Sequence, residues 1–119
     1  MIVGIGVDIV DIARFTRSLE RTPRLRERLF TPNERALALP SLAARFAAKE
    51  ALIKALGGSD GVRWNDVEIA SNSDRQPRFV AYRVTEQHLR ERGVDQVHVS
   101  LSHDAGAAIA FVVVEQTRG

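Results

Sequence analysis

The chain has 119 residues, 45% of them hydrophobic and 27% charged, a length and composition that favour one folded domain over residues 1–119 rather than a disordered chain. The absence of cysteine excludes disulfides, thiolate metal sites and cysteine nucleophiles, and the lack of a signal-peptide start or of an apolar run near the ~20 residues of a membrane span predicts a cytoplasmic protein. The formal net charge is +2, but residues 14–35 carry seven arginines against three glutamates, a local +4 that indicates an acidic partner: a protein, a nucleic acid or a phosphorylated ligand.

The first predicted element is a strand over residues 2–9. Apolar side chains alternate there with glycine and aspartate, and a period of two is typical of strands. Glycine within a strand often marks the close approach of another backbone or of a ligand. The apolar side consists of Val3, Ile5, Val7 and Ile9, and the other side of Gly4, Gly6 and Asp8.

Four helices are predicted between this strand and residue 58. On the longest, a side with two alanines and two charges predicts close approach by another element or a ligand. That side is formed by Ala43, Ala47, Glu50 and Lys54, beside an apolar stripe of Leu42, Phe46, Ile53 and Leu56. The predicted helices are 12–20 capped by Asp11, a short one starting at Thr22-Pro23, one opened by the capping box Thr31-Pro32-Asn33-Glu34 and ending near Pro40, and 42–56 between the cap Ser41 and Gly57-Gly58.

The second half is predicted to be mostly strands. The last apolar run, 107–114, does not alternate, so it needs cover on both faces, from the helices and from another subunit where one is present. The fold class is therefore α+β, a largely antiparallel sheet packed on one long helix. The remaining predicted elements are strands around Val67-Ile69 and Arg78–Tyr82 joined by a turn at 71–77, a helix 85–92 between the cap Thr85 and Gly93, and a final hairpin turning at residues 103–106.

Two carboxylates, Asp8 and Glu50, are the strongest candidates for chemistry. Each lies among apolar or small residues on an element that must pack in the core, and a buried carboxylate needs a cation as partner. One interpretation is structural: a salt bridge from Glu50 to Lys54, four residues on, and from Asp8 to an arginine. The other is a Mg²⁺ site, since Mg²⁺ takes one or two carboxylates and completes its coordination with water and phosphate oxygens. Lys49, Lys54 and Arg45 would then offer positive charge to a polyphosphate, as phosphoryl transfer requires.

The segment Ser102-His103-Asp104 is not predicted to be a catalytic triad, because neighbouring residues on a strand point to opposite faces. His103, near a strand end, is a candidate phosphate contact, and a turn histidine without a role is the alternative. Gly4-Ile-Gly6 lacks the third glycine and the following helix of a dinucleotide-binding motif, and the chain has no P-loop.

Three motifs follow one another along the chain. They are Gly4-Ile-Gly6-Val-Asp8 followed by Arg14, the block Arg45-Phe-Ala-Ala-Lys49-Glu50-Ala-Leu-Ile-Lys54-Ala, and Val99-Ser-Leu-Ser102-His103. Together they resemble the holo-[acyl-carrier-protein] synthase family of the 4′-phosphopantetheinyl transferases. The resemblance extends from the first strand to the last hairpin, and the short length is similar to that of the trimeric members.

The resemblance implies the family's fold and a Mg²⁺-dependent transfer of phosphopantetheine from coenzyme A to a serine of an apo acyl carrier protein or carrier domain, releasing adenosine 3′,5′-bisphosphate. It implies that Asp8 and Glu50 hold the metal and form the catalytic group together with Lys54. The base for the serine proton would be a carboxylate or a metal-bound water, and we expect Glu50 to orient it. It also implies a homotrimer with sites at the subunit interfaces. The implied coenzyme A contacts are Arg45, Lys49, Lys54, Ser102 and His103, with Arg45 and His103 offered by the neighbouring subunit.

The clustered arginines are the expected docking surface for the carrier protein, because carrier proteins present an acidic helix around their serine. Helical spacing places Arg14, Arg17 and Arg21 on one face, and Arg24 and Arg28 on the next short helix. One departure from the family concerns Arg75-Gln76-Pro77, where many members have Gly-x-Pro, so nucleotide contacts from this turn are left open.

Two other classes are weighed against this enzyme. One is a small arginine-rich RNA-binding protein, although the seven aromatic residues form no obvious stacking platform. The other is a non-catalytic assembly subunit, against which the presence of Asp8, Glu50 and Lys54 argues.

Overall fold

The computed structural model describes residues 1–58, 60–71 and 76–118. It confirms an α+β fold in which an antiparallel sheet packs on one long helix. Among these residues, no helix is both long and apolar enough to cross a membrane. The elements in chain order are β1 (Ile2–Asp11), α1 (Ile12–Arg21), α2 (Leu25–Leu29), α3 (Pro32–Arg35), α4 (Leu39–Ala55), a 3₁₀ turn (Trp64–Asp66), β2 (Val67–Ser71), β3 (Pro77–Ala81), α5 (Arg83–Glu91), β4 (Gln96–Asp104) and β5 (Ala107–Glu115).

The main sheet has the strand order β1-β5-β4, so the last strand of the chain is central. One face of the sheet packs on α4, and four side chains of β5 on that face are fully buried: Ala108, Ala110, Val112 and Val114. The register pairs Asp8 of β1 with Ala110, which puts Asp8 on the same face, toward α4. β2 and β3 pair antiparallel as a second, two-stranded sheet.

The glycines of β1 allow the strand to lie directly against the backbone of α4. A Cβ atom at Gly6 would stand 1.9 Å from the carbonyl oxygen of Ala51, and one at Gly4 would stand 1.8 Å from that of Ala55. The close approach predicted from these glycines is therefore confirmed, and the approaching partner is a helix backbone. It brings Asp8 beside the turn of α4 that carries Glu50.

The opposite face of the sheet is apolar and exposed. The side chains of Ile5, Val7 and Ile9 on β1 are 53–64% exposed, and Ile109 and Phe111 on β5 are 40% and 45% exposed. The expectation that β5 is covered on both faces is thus met by α4 on one face, while the other face is open in the single chain.

The start of α4 differs from the sequence-based expectation. Ser41 is not its cap, because the helix begins at Leu39, with Ala38 in the capping position and Pro40 in the first turn. First-turn amides have no acceptor within a helix, so proline loses nothing there. The predicted end is confirmed: the N–H groups of Gly57 and Gly58 donate to carbonyls of the last turn, and Gly57 has a φ of +82°.

Several other boundaries also shift. Thr85 does not cap α5, since its fully buried hydroxyl instead accepts the N–H of Arg63 at 2.9 Å. The predicted cap of α1 is confirmed, with the Asp11 carboxylate accepting the N–H of Arg14. The other shifts are a start of α2 at Leu25 rather than at Pro23, an end of α3 at Arg35 rather than near Pro40, and a start of α5 at Arg83.

The turn between β4 and β5 is shorter than predicted. It consists of Ala105 and Gly106, with φ values of 51° and 78°, as a two-residue hairpin of the favoured twist requires. His103 and Asp104 therefore belong to β4. The predicted turn at 71–77 falls largely on residues 72–75, outside the described residues.

Candidate functional site

A cleft of about 640 Å³ lies between the start of the chain and α4. The two candidate carboxylates, Asp8 and Glu50, both line it, as do the docking arginines Arg14 and Arg28. The structure therefore brings the predicted metal ligands and part of the predicted docking surface to one place. The cleft is also lined by the apolar and aromatic residues Ile9, Val10, Phe15, Leu25, Leu29, Phe46 and Trp64.

Asp8 is paired with a lysine that is distant in sequence. The Lys54 ammonium donates to Asp8 Oδ1 at 2.9 Å and to the Val7 carbonyl oxygen at 3.1 Å. The hydrogen bond to Asp8 and the negative charge of Asp8 raise the pKa of Lys54. The ion pair Lys54–Asp8 was not predicted from the sequence. It forms in place of the two expected salt bridges, from Glu50 to Lys54 and from Asp8 to an arginine.

Glu50 lies in an environment that disfavours its charge. Burial raises the pKa of Glu50, the negative charge of Asp8 raises it further, and Lys54 opposes both effects. Two carboxylates that raise each other's energy in one cleft are a suitable donor set for a hard cation. Among the described residues no group of three metal-binding side chains exists, so a cation here would have two protein ligands and would complete its coordination with water or substrate.

Lys49 is placed in the core, away from the cleft surface. Its side chain is 1% exposed, and its ammonium donates to the Leu29 carbonyl, to Glu34 and to the Trp64 carbonyl. An ammonium has three hydrogens, so every donor of Lys49 is engaged within the protein. This geometry does not favour the predicted phosphate contact of Lys49.

Arg45 is half-buried on the other flank of α4. Its Nε donates to the Ile69 carbonyl at 3.1 Å, and Nη1 lies 3.4 Å from the Ser41 carbonyl. Burial lowers the pKa of Arg45, and the charges of Glu34 and Glu68 act in the opposite direction. Arg45 is not among the residues that line the cleft of Asp8 and Glu50.

Ser102 and His103 are exposed on β4 and do not line the cleft either. They point to opposite faces of the sheet: Ser102 pairs with Ile109 on the open face, and His103 with Ala108 on the α4 side. Because β5 separates β4 from β1, His103 is two strand spacings, roughly 10 Å, from β1. A single chain thus does not assemble Asp8, Arg45 and His103 into one site.

The five predicted docking arginines are all exposed. In the described part of the chain none of them forms an ion pair, whereas two others of the cluster, Arg26 and Arg35, donate to backbone carbonyls and hold α2 and α3 together. A second depression, lined by Arg21, Arg24 and Arg28, shares Arg28 with the cleft. These five exposed arginines of the cluster, Arg14, Arg17, Arg21, Arg24 and Arg28, are here called the arginine surface.

One wall of the cleft was not found from the sequence. The rings of Phe15 and Phe46 stack at 5.2 Å between centroids, and those of Phe46 and Trp64 at 5.4 Å. These rings come from α1, α4 and the 3₁₀ turn, so no single period along the chain signals the stack. The available signal was the position of Phe46 one helical turn before Glu50.

Comparison with known proteins gives a consistent result. A model of the 4′-phosphopantetheinyl transferase superfamily matches residues 4–112. The holo-[acyl-carrier-protein] synthase of Leifsonia xyli subsp. xyli is 66% identical over 116 residues, which are 98% of each protein. A crystal structure of the synthase from Neisseria meningitidis matches with a TM-score of 0.87 at 33% identity, covering 97% of this chain and 99% of that one. The Helicobacter pylori synthase in complex with coenzyme A matches with a TM-score of 0.84 at 34% identity, covering 93% and 99%.

Proposed function

Since the chain belongs to the holo-[acyl-carrier-protein] synthases of the 4′-phosphopantetheinyl transferase superfamily, which transfer 4′-phosphopantetheine from coenzyme A to apo acyl carrier protein, we propose that this transfer takes place in the cleft of Asp8 and Glu50. The serine oxygen attacks the phosphorus that carries the pantetheine arm, and the bond from that phosphorus to the bridging oxygen breaks. Adenosine 3′,5′-bisphosphate leaves, and the serine proton passes to a base. The observation that carries the proposal is the meeting of two carboxylates with the arginine surface in one cleft.

Asp8 and Glu50 are the residues that would hold Mg²⁺. The ion would supply charge neutralisation for the pyrophosphate and the departing bisphosphate. Lys54, whose side chain is about half exposed, lies beside Asp8 and donates to phosphate oxygens at the same place. Glu50 orients the base that accepts the serine proton, a role supported by its position in the cleft together with Asp8.

The arginine surface binds the acidic carrier protein. Arg14 and Arg28 line the cleft itself, so a protein docked on this surface presents its serine close to Asp8 and Glu50. The exposed positions and the lack of ion pairs within the described chain leave these guanidinium groups available to a partner.

Coenzyme A is the donor, and its 3′-phosphate end is held by Arg45 and His103 of a neighbouring copy. In one chain these residues stand apart from the cleft, which supports a site completed across an interface. The open apolar sheet face supports association with further copies of the chain, and the proposed assembly is a homotrimer. Lys49 is left out of this group because its donors are engaged in the core.

Mass measurement tests the proposed function directly. The protein is incubated with coenzyme A, Mg²⁺ and an apo carrier protein, and the carrier is expected to gain one phosphopantetheine. Asp8→Asn and Glu50→Gln should each lower kcat at least about a hundredfold, the size expected for loss of one group that stabilises transition-state charge. Both variants should also lose binding of Mn²⁺, measured by electron paramagnetic resonance without substrate.

The matched control is Glu86→Gln, which removes an exposed glutamate on α5, away from the cleft. It should leave transfer and Mn²⁺ binding unchanged. Undiminished transfer by Asp8→Asn or Glu50→Gln would refute the assignment of the cleft. In the same assay Arg14→Glu and Arg28→Glu should raise the KM for the carrier about tenfold or more and leave the KM for coenzyme A unchanged, with Arg118→Glu as control. Equal effects on both KM values would remove the docking assignment.

A further inference from the structure

A buried cluster of charges lies behind the cleft, between α4 and the segment of α2 and α3. Lys49 and Glu34 are each 1% exposed and pair at 2.7 Å, and Thr31 and Glu68 next to them are 4% and 9% exposed. A buried charge is costly unless it is paired and its other hydrogen-bonding positions are filled. The positions of this pair are filled, and two of the groups that fill them, the Leu29 and Trp64 carbonyls, belong to residues that line the cleft.

Lys49 joins three separate segments. Its ammonium donates to the Leu29 carbonyl at 2.6 Å, to Glu34 Oε1 at 2.7 Å and to the Trp64 carbonyl at 3.0 Å. Leu29 and Trp64 line the cleft, and Glu50, which lines it too, follows Lys49 directly on α4. One ammonium therefore fixes α2 and the 3₁₀ turn to the turn of α4 that carries Glu50.

Glu34 extends this junction to the cap of its own helix and to one further segment, β2. Its Oε1 also accepts the N–H of Thr31 at 3.0 Å, which closes the capping box of α3, and its Oε2 accepts the N–H of Ile69 on β2 at 3.0 Å. The carboxylate thus has partners on both oxygens. Burial lowers the pKa of Lys49 and Glu34 raises it, which is consistent with a charged pair that depends on mutual contact.

We propose that Lys49 and Glu34 are a positioning pair, which sets where α2 and its cleft-lining arginine, Arg28, stand relative to Glu50. The inference rests on the proposed use of the cleft. α2 has only five residues and carries Arg28 next to Leu29, whose carbonyl is one of the helix-end groups without an acceptor role inside the helix. Lys49 supplies the donor for that carbonyl, so its removal frees α2, and Arg28 with it, to shift against α4.

This role differs in its consequences from the coenzyme A contact expected of Lys49. A coenzyme A ligand changes the affinity for coenzyme A when it is removed. A positioning pair behind the carrier-binding wall changes the use of the carrier protein, and it does so whether Lys49 or Glu34 is removed, although Glu34 is negative and buried and cannot attract a phosphate.

The test uses Lys49→Met and Glu34→Gln in the full-length protein. Each should raise the KM for the apo carrier protein about tenfold. The dissociation constant for coenzyme A, measured by calorimetry with Mg²⁺, should stay within about twofold of that of the unmodified protein. The double variant should be about as impaired as the worse single variant, because both substitutions break one unit. Circular dichroism and thermal melting show whether each variant is folded under the conditions of the assay.

Glu34→Gln keeps the shape of the side chain and leaves Lys49 its two carbonyl acceptors, so it tests the pair if Lys49→Met does not fold. Glu86→Gln on α5 is again the matched control and should change neither constant. A raised dissociation constant for coenzyme A with an unchanged carrier KM would overturn the proposal in favour of a coenzyme A contact. A lowered melting temperature with an unchanged carrier KM and an unchanged dissociation constant for coenzyme A would overturn it in favour of a purely structural role. Failure of the proposed function would differ from both, since the unmodified protein would then transfer nothing.

Discussion

At the scale of single residues, the candidate site brings two negative charges close together, which lowers the stability of the folded protein. Glu50 is partly buried beside Asp8, and its pKa is raised by both circumstances. Lys54 offsets part of this cost by binding Asp8. Two carboxylates that are proposed to bind a cation are in this way unfavourable for folding without it.

Glu50→Gln is accordingly expected to raise the melting temperature in buffer without divalent ions, by a few degrees, while it abolishes transfer. The raised pKa means that the folded state binds the Glu50 proton more tightly than the unfolded state does. The stability that this proton contributes is present below the ordinary value of 4.5 and is lost as the pH rises through the raised value. At neutral pH the neutral amide removes that loss, and calorimetry at pH 7.5 measures the difference.

The gain should disappear in Glu50→Gln at low pH, where the carboxyl of the unmodified protein is itself neutral. A lower melting temperature of Glu50→Gln in divalent-free buffer at neutral pH would contradict the view that its charge is destabilising. Glu86→Gln, which changes an exposed carboxylate, serves as the reference substitution.

The pattern of residues along one helix was enough to identify Glu50 as a candidate site residue. It did not predict which side chains surround Glu50 in the folded protein. The i,i+4 spacing predicted a bridge from Glu50 to Lys54, whereas Lys54 binds Asp8 on β1, 46 positions away in the chain. Lys49 was expected to be a phosphate contact because its neighbours are charged, yet it is buried by α2 and α3. Such contacts depend on how distant segments pack, and a local pattern contains no information on that.

At the scale of elements, the sequence predicted the main strands and helices more reliably than their ends. The β1 alternation and the glycine end of α4 depend on local chemistry, and both are confirmed. The misplaced caps involve Ser41 and Thr85, which were read as caps because hydroxyl side chains favour that position. Tertiary contacts use these residues differently: the Thr85 hydroxyl is buried and accepts the N–H of Arg63.

The contact between β1 and α4 is the element pairing on which the site depends most. Gly6→Ala should destabilise the protein by about 3 kcal/mol, at the upper end of overpacking costs, since the new Cβ atom would stand 1.9 Å from a backbone oxygen that cannot turn away. The shift of β1 should also displace Asp8 from Glu50 and lower kcat. Urea unfolding and the transfer assay measure the two effects.

Gly57→Ala is a matched control with a different physical cost. No atom of the described residues lies within 4 Å of the added Cβ, but the residue has a φ of +82°, so only the left-handed conformation is penalised, by about 1 kcal/mol. A Gly6→Ala variant as stable as Gly57→Ala would mean that β1 can move away from α4 without loss.

At the scale of the whole molecule, the positive charge is divided between two places. The arginine surface lies on α1 and α2, while Arg45 and Lys54 lie on α4, and a net charge of +2 does not reveal this division. The open sheet face adds a third feature, because five large apolar side chains are exposed side by side on β1 and β5. Exposed apolar patches of this kind mark association surfaces, and a homotrimer would cover this one.

Phe111→Asp, on the central strand of the open face, should convert the proposed trimer to monomers at micromolar concentration. An unpaired carboxylate buried in an interface is costly, so association should weaken at least about tenfold. Sedimentation velocity measures the change. Val84→Asp is the matched control, since Val84 is 44% exposed on α5, away from this face, and should leave the trimer intact. A Phe111→Asp variant that sediments like the unmodified protein would exclude this face as the interface.

The same assembly has a functional consequence if Asp8 and His103 serve one site from different subunits. Asp8→Asn and His103→Ala should each be inactive alone. After unfolding and refolding as an equal mixture, random trimers contain sites in which the subunit with intact Asp8 faces a neighbour with intact His103, and these are roughly a quarter of all sites. Recovery of about a quarter of the transfer activity would support sites shared between subunits. No recovery from refolded mixed trimers would place Asp8 and His103 in the same chain's site, which the two strand spacings between β1 and β4 argue against.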